Sequence, residues 1–246
     1  MTRILITNDD GVYSEGLRLL ARALAPLAEV TVVAPDREQS ATGHSLTLNR
    51  PLRLQKIEEN WYAVDGTPTD CVNLAVLWLL KDRKPDLVVS GINLGLNLGD
   101  DVTYSGTVAG ALEAALLGIP GIAVSQQRTL DTYDFSAAAL AGAQVAALVL
   151  QNGLTPRTSL NINVPSVQSK GMRATFQAKR NHVTVVSPRM DPRDKPYYWI
   201  EEGEDSWEPH DRSDYQAVKD GYVSVTPLQP DLTAYDELEA LGRLLG

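Results

Sequence analysis

The sequence is poor in the residues that build sulfur- and imidazole-based sites. It contains one cysteine and three histidines among 246 residues. A single cysteine, Cys71, excludes an internal disulfide and any metal site made of several cysteines. Its position in an apolar run predicts that it is buried. None of the histidines has the spacing of zinc ligands, so oxygen atoms are the main candidate ligands of this chain.

Long apolar runs and a leader pattern are also missing. The longest candidate, residues 137–150, is rich in alanine, contains Gln144 and is shorter than the about 18 residues that a membrane span needs. The first residues begin directly with a strand pattern, without the charged-then-apolar order of a signal peptide. We therefore expect a cytoplasmic protein that does not contact a membrane.

Positive charge is scarce as well. Lysine and arginine together number 22, against 31 aspartates and glutamates, which gives a formal net charge of −9. This balance argues against a nucleic-acid polymer as the main ligand, because such partners require a basic face. A small phosphorylated substrate is still compatible with it, since a bound divalent cation can reverse the local sign of the field.

The first 170 residues alternate between strand-like and helical segments. This order predicts an α/β fold with a doubly wound, mostly parallel, Rossmann-like sheet that carries helices on both faces. Strands are predicted at residues 3–7, 30–34, 86–90, 121–125 and 160–164, and helices at residues 15–27, 107–117 and 133–150. Residues 45–64 alternate in polarity and predict an antiparallel excursion. A helix is predicted to begin after it, with Thr67 as its cap.

The carboxyl-terminal part has a different character. Strand-like residues 173–177, 182–187 and 197–200 surround a charged, proline-rich segment, which predicts a projecting β-hairpin arm. A strand at 222–227 and a terminal helix at 235–245 follow. We divide the chain into an α/β core, residues 1–170, and an arm and oligomerisation segment, residues 171–246. Exposed aromatic residues of the arm would suit a subunit contact; they are Tyr197, Tyr198 and Trp199.

Oxygen-bearing side chains follow three of the predicted strands. Asp9 and Asp10 end the first strand, Ser40 lies in the loop after the second, and Asn93 follows the strand at 86–90. Ligands bind where parallel strands end, so these residues are expected to meet. Two adjacent carboxylates call for a cation, and an all-oxygen set favours Mg²⁺ or Mn²⁺ over zinc. In isolation, an Asp-Asp-Gly sequence is more often a solvated turn.

The segment Ser105-Gly106-Thr107 precedes a predicted helix and is a candidate phosphate cradle. Free backbone N–H groups and two hydroxyls suit an anion, although simple capping of the helix by Ser105 or Thr107 explains the same residues. His44 lies in the loop of Ser40 and is a candidate proton donor or substrate contact. The other histidines, His182 and His210, are expected on the surface of the arm.

Three other kinds of phosphate chemistry do not fit. Covalent aspartyl phosphatases of the haloacid-dehalogenase type place a nucleophilic aspartate where this chain has Asn8, and an amide cannot act as that nucleophile. The glycines at 91, 95 and 99 do not form a dinucleotide fingerprint, and no Walker lysine occurs. A dinucleotide enzyme and a P-loop NTPase are therefore not predicted.

Eight motifs occur in a fixed order along nearly the whole chain. They are ILITNDDG at 4–11, VAPDR at 33–37, GTPTDC at 66–71, VSGIN at 89–93, NLGDD at 97–101, YSGTVAGA at 104–111, GYVSVTPL at 221–228 and DLT at 231–233. In this combination the chain resembles the SurE family, the survival-protein-E nucleotidases.

The resemblance implies a divalent-metal-dependent phosphohydrolase. Its substrates would be nucleoside 5′- and 3′-monophosphates, with short polyphosphate as a further one, and metal-activated water would attack phosphorus. One Mg²⁺ or Mn²⁺ per subunit would be held by Asp9, Asp10, Ser40 and Asn93, with Asp9 or Asp10 taking the proton of the water. Phosphate would be held by Asn97, Ser105, Gly106 and Thr107. Homodimers or homotetramers that exchange carboxyl-terminal segments are implied too.

The sequence departs from the family pattern at two positions. Ala41 follows Ser40 where relatives often have glycine, and Tyr235 stands where many relatives have a histidine. A proton donor could therefore be missing or replaced. Two alternatives to a nucleotidase are a module that binds a nucleotide without hydrolysing it and an interaction protein whose arm matters more than its pocket.

Overall fold

A nine-stranded sheet with helices on both faces forms the body of the protein. The computed structural model describes residues 1–128, 134–181, 184–202 and 206–246. The strands are β1 (Arg3–Thr7), β2 (Glu29–Pro35), β3 (Leu54–Glu58), β4 (Trp61–Val64), β5 (Leu87–Leu94), β6 (Gly121–Gln126), β7 (Ser159–Val164), β8 (Met172–Ala174), β9 (Arg180–Asn181), β10 (Thr184–Met190), β11 (Pro196–Glu202), β12 (Ser206–Trp207) and β13 (Val223–Leu228). The helices are α1 (Glu15–Leu24), α2 (Pro68–Leu74), α3 (Gly106–Leu116), α4 (Ser136–Asn152), α5 (Asp214–Lys219) and α6 (Leu238–Leu245).

The order of strands across the sheet is β3-β4-β2-β1-β5-β6-β7-β13-β8. All pairs from β4 to β7 are parallel, while β3 and β13 run antiparallel to β4 and β7. The predicted α/β class and mostly parallel sheet are confirmed. The order reverses direction at β1, because the chain moves outward to β2 and then returns to β5. Such a switch point is where open α/β sheets bind ligands.

Alternate side chains of β1 enter two different cores. Ile4 and Ile6 pack with residues of α1 and α4 on one face of the sheet. Leu5 packs on the other face with Cys71 of α2 and Ala114 of α3. The strand reads as a continuous apolar run because it is buried on both faces. Cys71 is buried, as predicted.

The start of α2 and the end of α1 are each set by nearby residues in the sequence. Thr67 caps α2 by accepting from the N–H of Asp70, whose carboxylate accepts in turn from the N–H of Thr67, so the predicted cap is a full capping box. The predicted helix 15–27 ends at Leu24 instead. Pro26 follows Ala25 and has no N–H to donate to the carbonyl of Arg22, so the hydrogen-bonded helix does not continue.

The antiparallel excursion is shorter than predicted. Only Leu54–Glu58 and Trp61–Val64 form strands within residues 45–64, and β4 joins the main sheet by running parallel to β2. Residues 45–53 instead pass over the surface as a loop.

The predicted hairpin is formed by β10 and β11, which pair antiparallel with Arg189 opposite Tyr197. The aromatic side chains of Tyr197, Tyr198 and Trp199 are exposed, as expected. His182 and Tyr133 fall outside the described residues. The division at residue 170 stays a prediction, and both β8 and β13, from beyond it, belong to the main sheet.

The last strand and helix follow the predicted order, while α5 was not foreseen. The predicted terminal helix consists of a 3-10 turn, Tyr235–Glu237, followed by α6. Within the described ranges, no helix is both long and apolar enough to cross a bilayer.

Candidate active site

A cavity of about 650 Å³ opens where β1, β2 and β5 end. The structure brings five predicted site residues to its wall: Asp9, Ser40, Asn93, Asn97 and Ser105. These residues come from three strand ends and from the start of α3. They are separated by up to 96 positions in sequence, so the fold rather than local chain geometry brings them together.

Asp9 is the most enclosed carboxylate of this cavity, with 5% of its surface exposed. The Thr107 hydroxyl donates to its Oδ1 atom. Burial raises the pKa of Asp9 above its usual value, and the Thr107 hydrogen bond only partly opposes that shift. The side chain of Thr107 holds Asp9. Its backbone N–H is therefore the group that is left for the predicted contact with phosphate.

Gly106 lets the amino end of α3 approach Asp9. A Cβ atom at position 106 would lie 2.9 Å from the Cβ of Asp9 and 3.0 Å from its Oδ2. Only glycine avoids this overlap. The backbone N–H groups of the first turn, which have no partner within a helix, consequently lie beside a carboxylate at the edge of the cavity.

Asp10 is half-buried next to Asp9 and does not itself line the cavity. Burial is the largest cause that raises its pKa to about 7, followed by the negative charges of Asp9 and Glu38. The two adjacent carboxylates thus cost free energy when both are ionised. A cation placed beside them would remove that cost.

Ser40 lies on the exposed side of the cavity. Its hydroxyl donates to Oε1 of Glu38 at 2.7 Å. The backbone of the same loop is joined to Asp9, because the N–H of Gln39 donates to the carbonyl of Asp9 at 2.8 Å. Glu38 was not predicted as a partner of Ser40. Its position two residues before Ser40 could have indicated the contact.

Asn93 is the second-last residue of β5, and its side-chain nitrogen bonds to a nearby carbonyl. Its Nδ2 donates to the carbonyl of Gly95 at 2.9 Å. The amide oxygen is then the atom of this side chain that is suited to a cation.

Asn97 is held by buried side chains of two neighbouring strands. Its N–H donates to Oδ1 of Asn163 at 2.8 Å, and its carbonyl accepts from Nδ2 of Asn161 and of Asn163 at 2.8 and 3.0 Å. Its own Nδ2 donates to Ser125 at 2.7 Å. Both the backbone and the side chain of Asn97 are therefore fixed at the cavity wall.

Ser105 caps α3. Its hydroxyl oxygen accepts from the N–H of Val108 at 3.1 Å. Ser105 therefore caps the helix, as one of the two interpretations predicted, and it also lines the cavity. A hydroxyl that accepts from the helix can still donate its hydrogen to an anion.

His44 is placed away from the cavity wall. Its Nε2 lies 2.6 Å from Oε2 of Glu113 on α3, and Asn73 of α2 donates to the other oxygen at 2.7 Å. Burial would raise the pKa of Glu113, but the hydrogen bonds from His44 and Asn73 outweigh it and lower that pKa. This geometry favours a structural partner for His44 over a substrate contact.

Tyr235 does not line the cavity either. Its exposed hydroxyl donates to the carboxylate of Asp231, four residues earlier. In the described structure the position therefore offers no proton donor to the candidate site.

Some cavity residues were not proposed as site residues from the sequence. Asp101 and Tyr104 come from the chain between β5 and α3, and Ile200 and Glu201 come from β11 of the hairpin. Tyr104 directly precedes a proposed phosphate residue, which was a usable signal. No local pattern indicated that the hairpin reaches the cavity, because that contact joins distant parts of the chain.

Comparison with known proteins gives concordant results. The profile of the family described as survival protein SurE matches residues 4–184. The "5′-nucleotidase SurE" of Geotalea daltonii is 52% identical over 242 residues, which cover 97% of each chain. That of Geobacter sulfurreducens is 51% identical over 241 residues, or 97% of this chain and 92% of the relative. The crystal structure of the SurE protein from Aquifex aeolicus has a TM-score of 0.88 at 45% identity and covers 99% of this chain and all of that one.

Proposed function

Since this chain belongs to the SurE family, we propose that it is a nucleotidase, a phosphoric monoester hydrolase that releases phosphate from nucleoside 5′-monophosphates. Nucleoside 3′-monophosphates and short polyphosphate are proposed as further substrates. The observation that carries the proposal is the meeting of two kinds of group at one cavity. Asp9, one of the two adjacent carboxylates, lies beside the amino end of α3, so a cation site and an anion site adjoin.

The residues present fit one Mg²⁺ or Mn²⁺ per subunit. Asp9, Asp10, Ser40 and Asn93 all offer oxygen, the atom that these hard cations prefer. Burial raises the pKa of both aspartates, and the negative charge of Asp9 adds to the rise at Asp10. A cation would remove this electrostatic cost. When bound, the divalent cation supplies positive charge to the phosphate and makes water a better nucleophile near neutral pH.

The chain's own groups then hold the phosphate and move the proton. The N–H groups of Gly106 and Thr107, at the start of α3, and the hydroxyl of Ser105 donate to phosphate oxygens. Asn97 is fixed by four hydrogen bonds and contributes a pre-positioned amide. Asp10, which is more accessible than Asp9, takes the proton from the attacking water.

The test is phosphate release from a panel of 5′- and 3′-nucleoside monophosphates and short polyphosphate. Activity is measured in EDTA and after Mg²⁺ or Mn²⁺ is restored. We expect release only with the cation, and a loss of roughly 100-fold or more in Asp9→Asn, because the substitution removes a charge that acts on both cation and water. Asp82→Asn, the same chemical change at an exposed site, serves as the control.

Two outcomes would overturn the proposal. Full activity of Asp9→Asn would remove the carboxylate from the mechanism. AMP binding without phosphate release under any divalent cation would identify a nucleotide-binding module instead.

We propose in addition that the protein is a homodimer or homotetramer built through its carboxyl-terminal segment. The apolar side chains of α6, which include Leu238, Leu241 and Leu245, are exposed in the single chain. An amphipathic helix with an uncovered apolar face is typical of a subunit contact. Light scattering on the full chain and on a chain that ends before α6 tests this, and equal masses would contradict it. The cytoplasmic location stays a prediction.

A further inference from the structure

The cavity has two chemically different parts. Asp9, Asn97 and Ser105 form a polar part around the start of α3, whereas Leu96, Tyr104 and Ile200 add apolar surface. A ligand that fills both parts must join an anionic group to a flat or apolar one. Sugar phosphates without a base satisfy only the polar part.

Tyr104 lines the cavity and directly precedes Ser105, a residue of the polar part. Its N–H donates to the carbonyl of Asp101 at 3.1 Å, and its own carbonyl accepts from the N–H of Gly43 at 3.0 Å. The next residue, Ser105, caps α3. The backbone is thus fixed immediately before the phosphate cradle.

The ring of Tyr104, in contrast, is available for contact. The residue is 63% exposed although it lines the cavity. An exposed aromatic ring on a fixed backbone gives a large contact area at a low cost in conformational entropy. Stacking between an aromatic side chain and a nucleobase is favourable and tolerant of base identity, because every base has a π-face.

We propose that Tyr104 is a specificity-determining residue that stacks on the base of a nucleoside monophosphate, with Ile200 of the hairpin as an additional apolar contact. The assignment rests on the proposed nucleotidase function, which it makes more specific. It predicts that the enzyme separates nucleotides from base-free sugar phosphates mainly through one ring. Purines, which offer the larger π-face, are favoured over pyrimidines.

The test compares AMP with ribose 5-phosphate, which carries the same sugar and phosphate and lacks the base. Tyr104→Ala is expected to raise KM for AMP about tenfold or more and to leave kcat/KM for ribose 5-phosphate within about twofold of the parent value. Tyr104→Phe and Tyr104→Trp keep a ring and are expected to retain low KM for AMP. Rescue by these two variants separates stacking from a requirement for the hydroxyl.

Tyr13→Ala is the matched control. Tyr13 is 64% exposed and lies at the same edge of the sheet, but it does not line the cavity. Its removal is expected to change neither substrate. Calorimetric titration of AMP and ribose 5-phosphate onto the same variants gives a readout that does not depend on turnover.

The outcomes separate the two proposals. Equal losses for AMP and ribose 5-phosphate in Tyr104→Ala would assign the residue a structural role and overturn the inference. No loss for either would place the base elsewhere and overturn it too. If the parent protein binds AMP but releases no phosphate, the nucleotidase proposal fails, while titration of Tyr104→Ala still decides whether this ring holds the base.

Discussion

Two loops deliver predicted ligands to the same cavity, and they are supported in opposite ways. The β5 loop, residues 95–99, carries Asn97 and is buried for much of its length. The β2 loop, residues 36–47, carries Ser40 and is mostly exposed. The β5 loop is packed into the interior, whereas the β2 loop lies on the surface and is held by a few separate hydrogen bonds.

The β5 loop rests on buried polar side chains from later parts of the chain. Asn161 and Asn163 of β7 bond to the backbone of Asn97, and Asp214 of α5 accepts from the N–H of Gly99 at 3.0 Å. Burial raises the pKa of Asp214 in spite of its several backbone hydrogen bonds. Hydrogen bonds of this kind are expensive to break, because the group left behind has no water to replace its partner.

The β2 loop is held at three separate points, each through a partly exposed residue of the loop. Gly43 donates to the carbonyl of Tyr104, His44 pairs with Glu113, and Thr47 donates twice to Asp70, from its N–H at 2.9 Å and from its hydroxyl at 2.6 Å. Water can reach the loop side of these bonds, although Glu113 and Asp70 are themselves buried. The comparison indicates that buried hydrogen bonds fix the position of Asn97, the proposed phosphate ligand. The position of Ser40 depends instead on several weaker contacts.

The largest effect is expected from Asn163→Ala. The substitution leaves the buried N–H of Asn97 without its acceptor and should lower the free energy of unfolding by about 3 kcal/mol. We also expect KM for AMP to rise, because the side chain of Asn97 loses its fixed backbone. Urea unfolding and steady-state kinetics measure the two effects.

Ser159→Ala on the same strand is the control for Asn163→Ala. The hydroxyl of Ser159 is buried without a hydrogen-bond partner among the described residues, so its removal should cost little. If Asn163→Ala were no more destabilising than Ser159→Ala, the contrast between the two loops would be lost.

An intermediate effect is expected from pH, through Asp10, which lies between the two loops. Its pKa rises from 3.8 to about 7 on folding. Between these values the folded chain holds a proton that the unfolded chain has released, so stability falls as pH rises from about 4 to about 7. After allowance for solvent screening of this partly exposed group, the loss amounts to roughly 2 kcal/mol.

Thermal unfolding in EDTA at pH 5 and pH 8 measures this change, and Asp10→Asn is the reference, since it cannot titrate. We expect the stability difference between parent and variant to depend on pH, and Mg²⁺ or Mn²⁺ to restore the parent at pH 8. Parallel pH profiles for the two proteins would contradict the assignment to Asp10.

The smallest effect is expected from Glu113→Gln. The variant keeps the shape of the side chain but removes the charge that accepts from Asn73 and pairs with partly exposed His44. Stability should therefore fall by about 1 kcal/mol. The concentration of divalent cation that gives half-maximal activity should rise a few-fold, because the loop that carries Ser40 is less well held. A double-mutant cycle with His44→Gln isolates the pair. A stability loss equal to that of Asn163→Ala would remove the distinction between the loops.

Much of the core fold could be predicted from the sequence because its cause is local. Strands that are buried on both faces appear as short apolar runs, as at residues 3–7, and the cap at Thr67 follows from side-chain chemistry. The strand ends then predicted that Asp9, Ser40 and Asn93 would meet. Their roles stay predictions that only chemistry can test.

The parts that could not be predicted depend on contacts between distant residues. Nothing near Thr107 indicates that its hydroxyl is used by Asp9, 98 residues earlier. The pairing of His44 with Glu113 and the approach of Ile200 to the cavity are equally invisible in a local pattern. A periodicity reports which face of an element is buried, and it does not report what lies against that face.

The bond between Gly99 and Asp214 spans 115 residues, and this separation has a consequence for synthesis on the ribosome. The β5 loop emerges long before α5, the helix that carries its anchor, and β13 reaches its place beside β7 later still. A nascent chain that has produced every proposed ligand therefore still lacks part of the scaffold that holds them. Chains released early expose unfinished sheet edges, which makes them substrates for chaperones and proteases rather than partly active enzymes.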